Sequence, residues 1–132
     1  QIESFFKKKN YLKIVSKKAN IDNFSKIGSG TIIMPGASIN FNSNIGDHCI
    51  INTNCSIDHD CLLYDFINIG PGTNMAGNVK IEELCSIGVG ATIIENLVIK
   101  KNSIVGAGSL INKSCNSNGL YYGFPAKLIK TI

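Results

Sequence analysis

From Ile27 onward every sixth residue is aliphatic: Ile27, Ile33, Ile39, Ile45, Ile51, Ile57, Leu63, Ile69, Met75, Ile81, Ile87, Ile93, Ile99, Val105 and Ile111. Val15 and Ile21 carry the series backwards. Ile, Leu, Val and Met supply only 37 of the 132 residues, so an unbroken series of this length is not a chance of composition. Counting each aliphatic as the first place of a hexad, the fifth place is mostly small: Thr31, Ala37, Ser43, Cys49, Cys55, Cys61, Thr73, Cys85, Ala91, Ser103, Ser109 and Cys115. Two inward positions per six residues, one large and one small, fit neither a heptad nor a 3.6-residue helix. They fit a short strand, a turn and another short strand, repeated as an all-β parallel β-helix.

A second period lies above the first. Gly70, Gly88 and Gly106 are spaced by 18, as are Gly72, Gly90 and Gly108, and Gly28 and Gly46. Three hexads per coil give a triangular prism in which residues 18 apart stack about 4.8 Å from one another. Sharp corners call for Gly, Asn or Asp at positive φ, and the second place of the hexads, with Gly28, Asn40, Gly46, Asn52, Asp58, Gly70, Gly88, Gly106 and Asn112, is read as that position. The repeat divides the chain into three parts. Residues 1–14 are an aperiodic, Lys-rich lead-in or the remnant of a longer N-terminal domain. Residues 15–118 form the β-helix. Residues 119–132, with Tyr121, Tyr122, Phe124 and Pro125, form a cap that folds back over the last coil and covers its open edge.

Composition narrows the function classes. Apolar content of 44% and charged content of 17% argue for a packed domain. No run approaches the roughly 18 apolar residues of a membrane span and no signal-peptide pattern opens the chain, so a soluble, cytoplasmic protein with no membrane partner is expected. All 13 basic residues are Lys. Without Arg the usual bidentate contact to a base edge is missing, and nucleic acid is not expected as a partner. The net charge of +4 suits either a phosphate-bearing ligand or simple solubility.

Five Cys, all at the small inward place, read as core packing residues with neither a disulfide framework nor a metal site. His48 and His59 are the two histidines and turn different corners, so no shared metal site is expected and no metal is required. His48 reads as a solvated turn residue. His59 sits between Asp58 and Asp60, with Phe41 and Gly77 as its neighbours 18 residues away. A carboxylate beside it favours the imidazolium and raises basicity, and the residues alone leave a solvated turn His and a general base both open. The corner carrying Pro71-Gly72, Val89-Gly90 and Ala107-Gly108 lacks bulky side chains over three coils. Either a long thin ligand lies there against the backbone, or the glycines only permit the turn.

At this point the stretch INTNCSIDHDC, followed by INIGPGTNMAGNVKI, CSIGVGATIIENLVIKKNSIVGAGSLI and GFPAK, resembles the left-handed β-helix acyltransferases of the hexapeptide-repeat family. Within it, residues 15–130 are similar to the sialic acid O-acetyltransferases and UDP-4-amino-sugar N-acetyltransferases of bacterial surface glycan synthesis. The resemblance implies a left-handed coil and a homotrimer holding acetyl-CoA between neighbouring prisms. His59 would be the general base and Asp60 the acid that raises its basicity, where a relative has Glu. Asn68 would contact the acetyl group, where that relative has a second His; Val89 and Ala107 would contact the cofactor through their backbone. Asn52 would lie near the acceptor, an amino or hydroxyl group of a nucleotide-activated sugar. Relatives carry a βαβ nucleotide-sugar-binding domain ahead of the prism, and no GxGxxG occurs here. A catalytically silent trimeric β-helix scaffold is the competing expectation.

Overall fold

Two-residue strands alternate with four-residue turns from Ile14–Val15 to Leu110–Ile111, as the hexad dictates. The computed structural model describes residues 11–132; of the lead-in, residues 1–10 lie outside the described residues. Every third strand pairs in parallel with a register of 18, for example Asn68 with Ser86 and with Ile50. The result is a left-handed parallel β-helix of about six turns. Its three faces are called here face 1, running from Ile14–Val15 through Ile50–Ile51, Asn68–Ile69, Ser86–Ile87 and Ile104–Val105; face 2, from Asn20–Ile21 through Ser56–Ile57, Asn74–Met75 and Thr92–Ile93; and face 3, from Lys26–Ile27 through Leu62–Leu63 to Val98–Ile99.

The first place of each hexad points inward: Ile39, Ile51, Ile57, Ile69, Ile81 and Ile99 are completely buried. Each such side chain is worth about 1.5–3 kcal/mol of apolar burial, which is how two-residue strands hold together. The fifth place is buried too, and the structure shows a second reason for its chemistry. On several coils its side chain donates to the second-place carbonyl of the next coil: Thr31 Oγ1 to Gly46 O (2.7 Å), Ser43 Oγ to Asp58 O (2.6 Å), Cys55 Sγ to Gly70 O (3.1 Å) and Cys85 Sγ to Lys100 O (3.1 Å). A small donor therefore satisfies a corner carbonyl while filling the narrow angle of the prism.

All five cysteines are free and buried. Burial pushes the thiols of Cys49 and Cys85 up to about 11 and that of Cys115 to about 12. Labelling of the native thiols should accordingly be slow. Cys55→Leu should cost about 1–3 kcal/mol by overpacking, whereas Cys55→Ser is smaller, keeps a donor and should be mild; urea unfolding midpoints check both.

One expectation about the corners is corrected. Positive φ falls at the fourth place of the hexad, at Asn42, Asp60, Asn78 and Gly90 among others, and not at the second. The second-place glycines serve a different need, because the next coil passes directly over them. A Cβ at Gly88 would lie 2.5 Å from the Ala107 nitrogen, and one at Gly70 would lie 2.7 Å from the Ile87 oxygen.

The C-terminal segment also differs in detail. Gly119–Gly123 adds to face 1 in parallel beside Ile104–Val105, with Leu120 opposite Ile104, so the step is 16 rather than 18. Ala126–Thr131 then returns antiparallel as the outer strand. The hairpin thus extends one face, and Tyr121 closes the core end: it is buried, and its hydroxyl donates to Ser117 O (2.8 Å).

Candidate active site

The corner between faces 2 and 3 carries His59. Asp60 occupies the fourth place with φ 58°, a conformation Asp tolerates better than most residues. This turns its carboxylate back on the preceding residue: His59 Nδ1 and Asp60 Oδ2 are 2.9 Å apart. A carboxylate only accepts, so Nδ1 carries the proton and Nε2 of the neutral ring keeps its lone pair. Both side chains are about half exposed. The Asp60 hydrogen bond, assisted by the charges of Asp58 and Asp60, raises the His59 pKa above its ordinary value. Asp58 accepts the His59 backbone N–H (2.9 Å), fixing the main chain of the turn.

Gly77 has the role of making room. A Cβ there would lie 2.6 Å from both Cε1 and Nε2 of His59, so the imidazole lies in the space that a side chain would fill. Beside this corner, a shallow groove of about 260 Å³ on face 2 is lined by Ser56, Asn74, Ala76 and Thr92, together with Glu95. Its small polar side chains are the outward sixth places of the hexads.

The corner between faces 1 and 2 is built differently. Gly72, Gly90 and Gly108 stack with φ of 65–68°, and a Cβ on any of them would meet nothing within 4 Å. The third-place N–H is left over by the coil-to-coil ladder. At the corner between faces 3 and 1 a side chain caps it on several coils: Asp47 Oδ1 accepts from Ser29 N (2.7 Å), Asp65 Oδ1 from Asp47 N (2.9 Å) and Glu82 Oε2 from Lys101 N (3.2 Å). Here the second places are Gly70, Gly88 and Gly106, and the N–H groups of Val89 and Ala107 have no acceptor among the described residues. Val89 and Ala107 are exposed. The line offers a ligand backbone donors with nothing in front of them.

Asn52 and Asn68 meet on face 1 next to that corner. Asn52 Nδ2 donates to Ile69 O (2.8 Å) and to Asn68 Oδ1 (3.1 Å). Since Asn52 presents its NH₂, Asn68 presents its oxygen to Asn52 and keeps its own NH₂ for another acceptor. The chain therefore brings together Asn52, Asn68, Val89 and Ala107 along one side, and His59 with Asp60 along another, with face 2 between them. One copy does not join the two sets. The sequence reading missed the Asn52–Asn68 bond and the two amides under the acids, Asn40 and Asn42; their spacings of 16 and 18 were the available signal. His48, read as solvated, is packed instead, edge-on to Tyr11 (ring centroids 5.0 Å apart) and stacked on Phe66 (5.1 Å). Among the described residues no group of three or more His, Cys, Asp or Glu is arranged to hold a metal ion, and no helix is long and apolar enough to cross a membrane.

No protein-family model matches the chain, and no curated protein does. Solved structures do. A histidine-to-alanine variant of GDP-perosamine N-acetyltransferase from Caulobacter crescentus, in complex with CoA and GDP-perosamine, superposes with a TM-score of 0.93 at 32% identity, over 97% of this chain and 63% of that one. The acetyltransferase domain of PglB from Neisseria gonorrhoeae, in complex with acetyl-CoA, gives 0.87 at 32% identity over 89% and 57%. WeeI from Acinetobacter baumannii gives 0.83 at 28% over 97% and 64%. The chain is a left-handed β-helix whose fold is similar to that of the hexapeptide-repeat acyltransferase class. Within that class it resembles the sugar N-acetyltransferases, and it spans less than two thirds of the length of these relatives.

Proposed function

We propose that the protein transfers the acetyl group of acetyl-CoA to an amino or hydroxyl group of a nucleotide-activated sugar, in the synthesis of a bacterial surface glycan. The observation that carries the reading is the His59–Asp60 pair, with Nδ1 bound to the carboxylate and Nε2 over the bare Gly77. His59 takes the acceptor proton as nitrogen or oxygen attacks the thioester carbonyl. The Asn68 amide donates to the carbonyl oxygen as negative charge develops, and thiolate leaves as CoA. Val89 and Ala107 hold the cofactor through their open N–H groups, and Asn52 sets Asn68 and stands near the acceptor. No step calls for a metal.

The separation of the two residue sets within one chain supports a homotrimer, in which the His59 corner of one copy faces the glycine-lined corner of the next. Outward Ile50 and Ile104 on face 1, each about 40% exposed, supply apolar contact area for such an assembly. Acetyl-CoA and a nucleotide sugar are both cytoplasmic metabolites, which fits a cytoplasmic site of action. The test is direct. Acetyl-CoA should raise the melting temperature, and thiol release should depend on an added acceptor, with GDP-perosamine as the first probe. A melting temperature indifferent to acetyl-CoA would leave the scaffold reading in its place.

A further inference from the structure

The coil beneath His59 contributes two amides. Asn42 Nδ2 donates to Asp60 Oδ1 at 2.7 Å, while the other oxygen of the same carboxylate binds His59 Nδ1 at 2.9 Å. Asn40 Nδ2 donates to Asp58 Oδ1 at 3.0 Å, the oxygen that also accepts the His59 N–H. Asp60 is half exposed and carried on a turn, so nothing in the packing alone would keep its carboxylate on the imidazole. Asn42 also has φ 57°, a backbone state that Asn adopts more readily than most residues. One side chain thereby meets the demand of the turn and supplies the donor.

We propose that Asn42 is a positioning residue, holding Asp60 against His59 so that the imidazole stays oriented with its lone pair outward. The inference rests on the role given to His59 above, but its test does not need that role. The charged groups facing His59 are Asp58 and Asp60 of its own turn. The coil below offers Asn40, Phe41 and Asn42, and the coil above offers Ala76, Gly77 and Asn78, none of which titrates. Asn42 is the largest cause lowering the Asp60 pKa, which keeps the carboxylate ionised under the imidazole.

The experiment is an NMR titration of His59 in the full chain, with His48 as internal reference. Asn42→Gly removes the amide and tolerates positive φ. With Asp60 free to rotate away, the His59 midpoint should move to lower pH, and the acid limb of kcat/KM should move with it. The plateau kcat should fall by about three- to tenfold. In an Asp60→Asn background the same substitution should change nothing further, since the effect passes through the carboxylate. Asn40→Ala, which acts on the backbone side, should shift the midpoint far less. A His59 midpoint unmoved by Asn42→Gly, or moved equally in the Asp60→Asn background, overturns the proposal. In the parent chain, the side-chain amide signals of Asn42 should themselves follow the His59 titration; invariance there counts against it even if the variant melts. Full activity of His59→Ala would remove the base assignment and leave the Asn42 result standing.

Discussion

His59→Ala is expected to lower kcat by at least about a hundredfold, with the melting temperature and the acetyl-CoA affinity close to those of the parent. The imidazole is more than half exposed and contributes little packing, so its loss should be felt in proton transfer alone. The pH profile gives an independent reading. The Asp60 hydrogen bond raises the His59 pKa, and a base must be deprotonated to act. The rate should therefore fall as pH drops, with a midpoint above the ordinary histidine value of about 6.5. In Asp60→Asn the limb should move to lower pH, because the group that stabilises the imidazolium is gone. Activity of His59→Ala within about threefold of the parent would take the residue out of the chemistry.

Ala107→Glu is expected to raise the KM for acetyl-CoA at least about tenfold, a loss of about 1.4 kcal/mol or more of binding, through steric blockage and repulsion of the cofactor phosphates. Third-place side chains at this corner point outward, and the Gly90 and Gly108 stack leaves open space beside them, so the melting temperature should barely move. Lys101→Glu is the control. It is also third place, but on the corner between faces 3 and 1, where Glu82 caps its N–H and pairs with Lys100 at 2.9 Å. A change of the same size in both variants would mean that net charge governs binding. No change in Ala107→Glu would place the cofactor along another edge.

The comparison of sequence with structure turns on what an 18-residue period can and cannot encode. The inward set was legible because a regular coil repeats one environment every six residues, and a single slip would have put Ile57 or Cys61 into water. The same arithmetic placed His59 and Ala107 on different corners. It could not say which backbone property each glycine serves. Gly88 and Gly90 look alike in sequence, yet one yields space to the Ala107 nitrogen and the other adopts φ 65°.

The sequence by itself determined the β-helix, its three faces and its core, because those follow from spacing and side-chain size alone, whereas the candidate site residues came from the resemblance of its motifs to the acyltransferases. The tertiary structure decided what rests on atoms of neighbouring coils: the carboxylate of Asp60 turned onto Nδ1, the ring over Gly77, the bonds of Asn42 to Asp60 and of Asn52 to Asn68, and the N–H groups of Val89 and Ala107 with no acceptor among the described residues. It also decided the C-terminal hairpin, where the register drops to 16 and periodicity no longer constrains the chain. Stacking brings two residues within reach; only the rotamers and turn dihedrals settle which donor meets which acceptor.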